Sequence, residues 1–147
     1  MHKRLLILNG PNLNLLGERE PGLYGSLSLA AIEELSVKTA SALGWQTRCK
    51  QSNYEGGLVE AIHDARHDCD GVVINAGAYT HTSVAIHDAF RGSKLPFIEV
   101  HISNVFARES FRHHSYLSEI AEGVICGFGA QSYVLGIQGL INKLNEN

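Results

Sequence analysis

The chain of 147 residues is poor in cysteine: only Cys49, Cys69 and Cys126 are present, widely spaced and in apolar or mixed surroundings. An odd, scattered set excludes a disulfide framework and a thiolate metal cluster, and predicts reduced, core-type side chains. Long hydrophobic runs are also missing. No stretch reaches the roughly 18 apolar residues of a membrane span. Met1-His-Lys-Arg leads straight into a strand rather than into the apolar core of a signal peptide. A cytoplasmic protein with no membrane contact is expected. Positive charge is not in excess either. The net charge is −3 with both signs mixed along the chain, so there is no basic stripe for nucleic acid. Linkers, internal repeats and low-complexity stretches are absent, and residues 1–147 are read as a single catalytic domain. Small molecules are the expected partners.

Several chemical signatures are missing as well. Neither Gly-x-Gly-x-x-Gly nor Gly-x-x-x-x-Gly-Lys-Ser/Thr follows the first strand, which argues against a dinucleotide or phosphate cradle. There is no Gly-x-Ser-x-Gly elbow for a serine hydrolase. Eight histidines are present, and His63 and His67 stand four apart beside Asp64, but no His-Glu-x-x-His accompanies them. A solvated helix face is the expectation there, and no metal or other cofactor is expected. His2 and His87 are expected at the surface. Lys3, Lys38, Lys94 and Lys143 fall at strand starts or on helices, and only Lys50 comes near the site edge, so an imine mechanism is disfavoured.

What is present alternates. Leu5-Leu-Ile-Leu is a continuous apolar run, as in a strand covered on both faces. After a long loop, Ser26 or Ser28 can cap a helix carrying Leu29, Ile32, Leu35 and Val37 and ending at Gly44. Residues 45–50 alternate as an edge strand, and Leu58, Ile62 and Ala65 mark a second helix. Strands are predicted over residues 71–75, 96–101 and 123–127, and helices over 83–90 and 132–145, with 103–119 irregular or briefly helical. Strands alternating with helices imply right-handed crossovers and a parallel sheet. The expected fold is a flavodoxin-like, doubly wound, five-stranded α/β domain of order 2-1-3-4-5.

In such sheets ligands lie beyond the carboxyl ends of the strands, where the strand order reverses. The first strand runs into Asn9-Gly-Pro-Asn12, the third into Asn75-Ala-Gly-Ala-Tyr-Thr-His81, and the fourth into His101-Ile-Ser-Asn104. Three polar clusters thus converge on one edge. The loop from Asn9 to Tyr24 has no amphipathic period. Compact domains rarely keep a connection of that length unless it serves as a lid or binding loop.

Acid–base chemistry on a small polar anion fits these residues. Glu99 and His101 are two apart, so on a regular strand they share a face. A carboxylate there holds the imidazole's tautomer and stabilises its cation, suiting His101 to act as general acid. Tyr24 can serve as a base only if its ionisation falls toward neutrality, a change costing about 3 to 4 kcal/mol. A guanidinium at about 4 Å supplies roughly 4 kcal/mol at an effective dielectric of 20, and Arg19 in the same loop is placed to do so. Asn12 and Asn75 offer neutral donors to a developing enolate or to hydroxyls. Arg108 and Arg112 offer bidentate anion contacts. Backbone donors at Ile102 and Ser103 could grip a carboxylate.

The motifs Ile-Leu-Asn-Gly-Pro-Asn-Leu-Asn-Leu-Leu-Gly-Glu-Arg-Glu-Pro-Gly-Leu-Tyr-Gly, Ile-Asn-Ala-Gly-Ala-Tyr-Thr-His-Thr-Ser, Ile-Glu-Val-His-Ile-Ser-Asn and Arg-His-His-Ser-Tyr occur in that order. Together they resemble the type II 3-dehydroquinate dehydratases over nearly the whole chain. The resemblance implies conversion of 3-dehydroquinate to 3-dehydroshikimate and water through an enolate, without metal or cofactor, on the shikimate route to chorismate and aromatic amino acids. It implies Tyr24 as base, Arg19 as the lid arginine that tunes it, and His101 as acid with Glu99 beside it. Asn12 resembles the residue holding a water against the enolate. Asn75, His81, Ile102, Ser103 and Arg112 match substrate-binding positions. Asp88 matches a residue that reaches a neighbouring subunit's site, within a trimer that assembles into a homododecamer. The chain departs from the usual pattern at Phe106 and Ser110 around the arginines, at His87 where Arg is common, and at Ser132 where Gly is common. These departures bear on packing rather than on the reaction.

Overall fold

The computed structural model describes residues 1–18 and 27–146. Five strands, β1 (Arg4–Asn9), β2 (Gln46–Gln51), β3 (Gly71–Asn75), β4 (Phe97–His101) and β5 (Gly123–Cys126), form one parallel sheet of order β2-β1-β3-β4-β5. Among the described residues four helices cross between or follow them: α1 (Leu29–Ala42), α2 (Glu55–Ala65), α3 (Val84–Ser93) and α4 (Gln131–Asn145). The expected fold and strand order are borne out. None of the described helices is long and apolar enough to cross a membrane.

Side-chain alternation along the central strands builds two cores. Leu5 and Ile7 of β1, Val73 of β3 and Ile98 and Val100 of β4 meet α1 and α4 through Ile32, Ile137, Leu140 and Ile141. Leu6, Leu8, Val72, Ile74 and Phe97 meet α2 and α3 through Leu58, Ile62, Ile86 and Phe90 on the other face. Apolar burial of this kind stabilises by about 1.5–3 kcal/mol per large side chain. Because β1, β3 and β4 are buried on both faces, their sequences are near-continuous apolar runs, which is why they were legible.

Local chemistry sets the helix starts. Ser28 Oγ accepts from Ala31 N at 3.1 Å, capping α1 and settling the choice between Ser26 and Ser28. Ser83 Oγ accepts from Ile86 N at 2.9 Å and caps α3. The loop after β1 is not wholly irregular: Leu13–Leu15 forms a short 3₁₀ turn, and Leu13 and Leu16 are buried in the α1/α4 core. Apolar burial thus pins down the root of the loop. Arg19, Tyr24 and Ser26 lie outside the described residues.

Candidate active site

The carboxyl edge of the sheet is drawn together by close backbone approach. Gly10 N donates to Asn75 O at 2.8 Å, joining the exits of β1 and β3. A Cβ on Gly10 would stand 2.5 Å from the Ala76 carbonyl oxygen, so only glycine permits this approach. Asn12 follows in the left-handed conformation (φ 69°), with its N–H donated to Asn53 Oδ1 at 3.0 Å. Gln51 Nε2 also donates to Asn53 Oδ1, and to Gly10 O, each at 3.0 Å. The turn that presents Asn12 is thus braced from the end of β2.

A cleft on this edge is lined by Asn75, Gly77, His81, His101, Ile102, Ser103, Val105, Arg108 and Arg112. Of the residues singled out from sequence, Asn75, His81, His101, Ile102, Ser103 and Arg112 are therefore brought together. Glu99 lies buried under His101. Asn12 is exposed at the rim, outside the lining. Asp88 on α3 is largely exposed and does not enter this cleft. Arg19 and Tyr24 lie outside the described residues.

His101 and Glu99 project from alternate positions of β4 to one face, and His101 Nε2 meets Glu99 Oε2 at 2.5 Å with both side chains nearly fully buried. The other oxygen, Oε1, accepts from Ser118 Oγ at 2.7 Å and Ser115 Oγ at 3.0 Å. Burial alone would push the Glu99 carboxyl up. The bond and charge of His101 and the two serine hydroxyls outweigh it and hold the group below its ordinary range. The carboxylate is therefore ionised and fixed, with Nε2 of His101 committed to it. That leaves Nδ1 as the nitrogen able to exchange a proton.

His81 comes from the 3₁₀ turn Gly77–His81 after β3, its ring 6.5 Å from that of His101 and nearly parallel to it. Desolvation is the main cause lowering its ionisation, aided by the charges of His101 and Arg112, while the His114 carbonyl and Glu99 oppose it. The ring is thus held neutral. Nδ1–H donates to His114 O at 2.8 Å, and Nε2 remains as an acceptor. Arg112, from the 3₁₀ turn Ser110–Arg112, donates Nε to Glu109 Oε1 at 2.9 Å and stacks over Phe111 at 4.9 Å. Its terminal nitrogens keep their fork for an anion. Glu109 also lies 3.9 Å from Arg108 Nε and moderates the positive charge of this wall. The carbonyls of His101 and Ile102 accept from Gly127 and Gly129, fixing the Ile102–Ser103 turn from β5.

Ser115, Ser118, Asn53 and Glu109 were missed in the sequence. Their partners lie 16, 19, 41 and 3 residues away. Only the last spacing carries a local signal, the i, i+3 pair of Glu109 and Arg112. His87, expected at the surface, is mostly covered and bridges Asp88 (3.1 Å) and Glu119 (3.4 Å). Ser132 is fully buried, and its hydroxyl accepts from Phe128 N at 3.1 Å. Phe106 is exposed, its ring 5.7 Å from that of His113 and tilted by 45° to it. These departures are absorbed as packing and hydrogen bonds around the site. The three cysteines are free thiols; burial pushes Cys49 and Cys69 up to about 11, which keeps them unreactive. Among the described residues no group of three or more His, Cys, Asp or Glu could hold a metal ion.

Residues 3–141 match the family described as dehydroquinase class II. The 3-dehydroquinate dehydratase of a Synechococcus species (strain CC9605) is 58% identical over 143 residues, covering 97% of this chain and 98% of its relative. That of a Marinomonas species (strain MWYL1) is 57% identical over 145 residues, with 95% and 97% covered. The crystal structure of the type II dehydroquinase from Propionibacterium acnes superposes with a TM-score of 0.90 at 41% identity, over 97% of this chain and 98% of the other. Matched by the family model over residues 3–141 and by a relative 58% identical across 97% of its length, the chain belongs to the class II dehydroquinase family.

Proposed function

We propose that the chain dehydrates 3-dehydroquinate to 3-dehydroshikimate at this cleft, by proton abstraction beside the carbonyl followed by loss of water. The reaction itself goes with the family; the assignment of roles is the proposal. Tyr24, as phenolate, takes the proton from carbon, and Arg19 keeps it ionised by its charge. The electron pair moves onto the carbonyl oxygen as an enolate, against a water held by Asn12. The enolate collapses, the hydroxyl leaves, and His101 delivers the proton that makes it water. Asn75 and the neutral His81 hold substrate hydroxyls, while Arg112 and the Ile102 and Ser103 backbone N–H groups grip the carboxylate.

The observation that carries this reading is the buried Glu99–His101 pair at the floor of a cleft walled by His81, Asn75 and Arg112. A fixed carboxylate beneath an imidazole stabilises the protonated acid while leaving its second nitrogen toward the substrate. Asp88, exposed and outside its own cleft, suits delivery to a neighbouring subunit in a trimer-based dodecamer. No cofactor enters any step, and the enzyme acts in the cytoplasm on the shikimate route.

The test is the absorbance of the conjugated enone formed from 3-dehydroquinate, with borohydride as control. Turnover insensitive to borohydride and reduced about 10²- to 10⁴-fold in Tyr24→Phe is expected. Near-wild-type turnover in that variant would remove Tyr24 as base, and inactivation by borohydride with substrate would replace the enolate by an imine.

A further inference from the structure

A single buried polar chain runs beneath the cleft and joins three elements. Gly77 N donates to Asn75 Oδ1 at 3.1 Å, Asn75 Nδ2 donates to the Tyr133 hydroxyl at 2.9 Å, and that hydroxyl donates to Asn9 Oδ1 at 2.5 Å. Asn9 ends β1, Asn75 ends β3, and Tyr133 stands in the first turn of α4. Their exposures are 0%, 3% and 0%. Of the three, only Asn75 lines the cleft.

The direction of this chain is fixed by its first member. A backbone N–H can only donate, so the atom of Asn75 facing Gly77 must be the carbonyl oxygen, and the atom facing Tyr133 must be the NH₂. A hydroxyl has one proton. Accepting from Asn75, Tyr133 gives that proton to Asn9. Burial pushes the ionisation of Tyr133 well above its usual value, the bond from Asn75 offsetting only part, so the proton stays in place. The reverse polarity would set an NH₂ against the Gly77 N–H. A flip of the Asn75 amide therefore breaks the Gly77 bond outright, and can keep a bond to Tyr133 only by drawing the hydroxyl proton away from Asn9. One hydrogen of Nδ2 is left uncommitted within the chain, as the donor available to the cleft. The arrangement leaves Asn9 Nδ2 buried and without a partner among the described residues, a cost borne so that its oxygen can take the tyrosine proton.

We propose that Tyr133 is a positioning residue for the dehydration: it holds the Asn75 amide, whose polarity the Gly77 N–H sets, with its donor toward the cleft, without touching substrate itself. This rests on the reading of Asn75 as a substrate-binding residue. The hydroxyl acts at a distance of one side chain, and it does so from the helix that follows the last strand. The Gly77 N–H chooses between the two nearly isosteric orientations of the amide, and the tyrosine hydroxyl holds the NH₂ in place at its other end.

A double-mutant cycle on the assembled enzyme tests this, using Tyr133→Phe, Asn75→Ala and their combination, with kcat/KM for 3-dehydroquinate and the urea midpoint measured for each. Tyr133→Phe is expected to lower kcat/KM about ten- to a hundredfold, the effect of a donor left mis-set. In the Asn75→Ala background the same substitution is expected to change kcat/KM less than about twofold, since the group it positions is gone. The loss of stability, by contrast, persists in both backgrounds. If Tyr133→Phe does not fold, Asn9→Leu keeps the tyrosine but removes the acceptor that commits its proton, and enters the same cycle with the same expectation. Wild-type kcat/KM in Tyr133→Phe beside an impaired Asn75→Ala overturns the proposal alone, as do losses that simply add. Wild-type kinetics in Asn75→Ala overturns the reading of Asn75 and the proposal with it.

Discussion

His101 Nε2 and Glu99 Oε2 lie 2.5 Å apart in a nearly solvent-free pocket, and the carboxylate's other oxygen is taken by two serine hydroxyls. The pair is thus more than a strand-end contact. One oxygen of the carboxylate is held by the imidazole and the other by two hydroxyls, so the imidazole cannot turn without breaking its bond to a fixed partner. The acid of the proposed reaction is aimed by a group that never meets the substrate.

Glu99→Gln keeps the shape and a hydrogen bond but removes the charge that stabilises the imidazolium. Turnover is expected to fall about 10- to 100-fold, as for loss of a partner that orients and tunes a histidine, with the pH profile of kcat displaced. Steady-state rates across pH check this, and a profile unchanged in shape would show that the charge is not what matters.

The depressed Glu99 carboxyl also links stability to pH. Its folded value lies below the model-peptide value of 4.5. Its contribution is thus fully present above pH 4.5 and is lost as the pH falls through the folded value. Removing Ser115 and Ser118 hydroxyls together (Ser115→Ala, Ser118→Ala) raises that folded value and narrows the window. The acid limb of a stability–pH curve is expected to start at the same pH but to lose less stability and to end at higher pH in the double variant; urea unfolding from pH 3 to pH 6 would show it.

His81 gives the same sign for a different reason. Desolvation keeps the ring neutral, its folded value below 6.5, so the unfolded chain binds the proton more readily. Stability is therefore lost as pH falls below 6.5 toward the folded value. His81→Asn is expected to weaken this loss between pH 6.5 and pH 5 while raising KM. Parallel unfolding and kinetic measurements at those two pH values separate the effects.

Gly10→Ala tests the close crossing of the β1 and β3 exits. With the new Cβ 2.5 Å from a backbone oxygen, the strands must separate, at about 1–3 kcal/mol. A lowered denaturant midpoint and reduced turnover are expected together, because Asn12 and Asn75 leave from the two strands that move. Unaltered kinetics in a destabilised protein would show the edge to be more compliant than its packing implies.

The sequence by itself determined the layers and the chemistry. Strands covered on both faces must be apolar throughout, so β1, β3 and β4 stood out, and the serine caps Ser28 and Ser83 carry short-range hydrogen bonds that a local reading can find. Period two alone puts Glu99 and His101 on one face of their strand. The family motifs then named the reaction. β2 was blurred by one residue because an edge strand with polar faces has a weak pattern. Only the tertiary structure decided which groups serve the carboxylate and the amides. Ser115 and Ser118 reach Glu99, Asn53 reaches Asn12, and Tyr133 spans 58 residues to Asn75 and 124 to Asn9. Such partners leave no periodic trace, because a hydrogen bond requires only that two atoms meet and places no constraint on the residues between. The polarity of the Asn9–Tyr133–Asn75 chain is likewise set in space, by one backbone N–H of Gly77 that can point in a single direction.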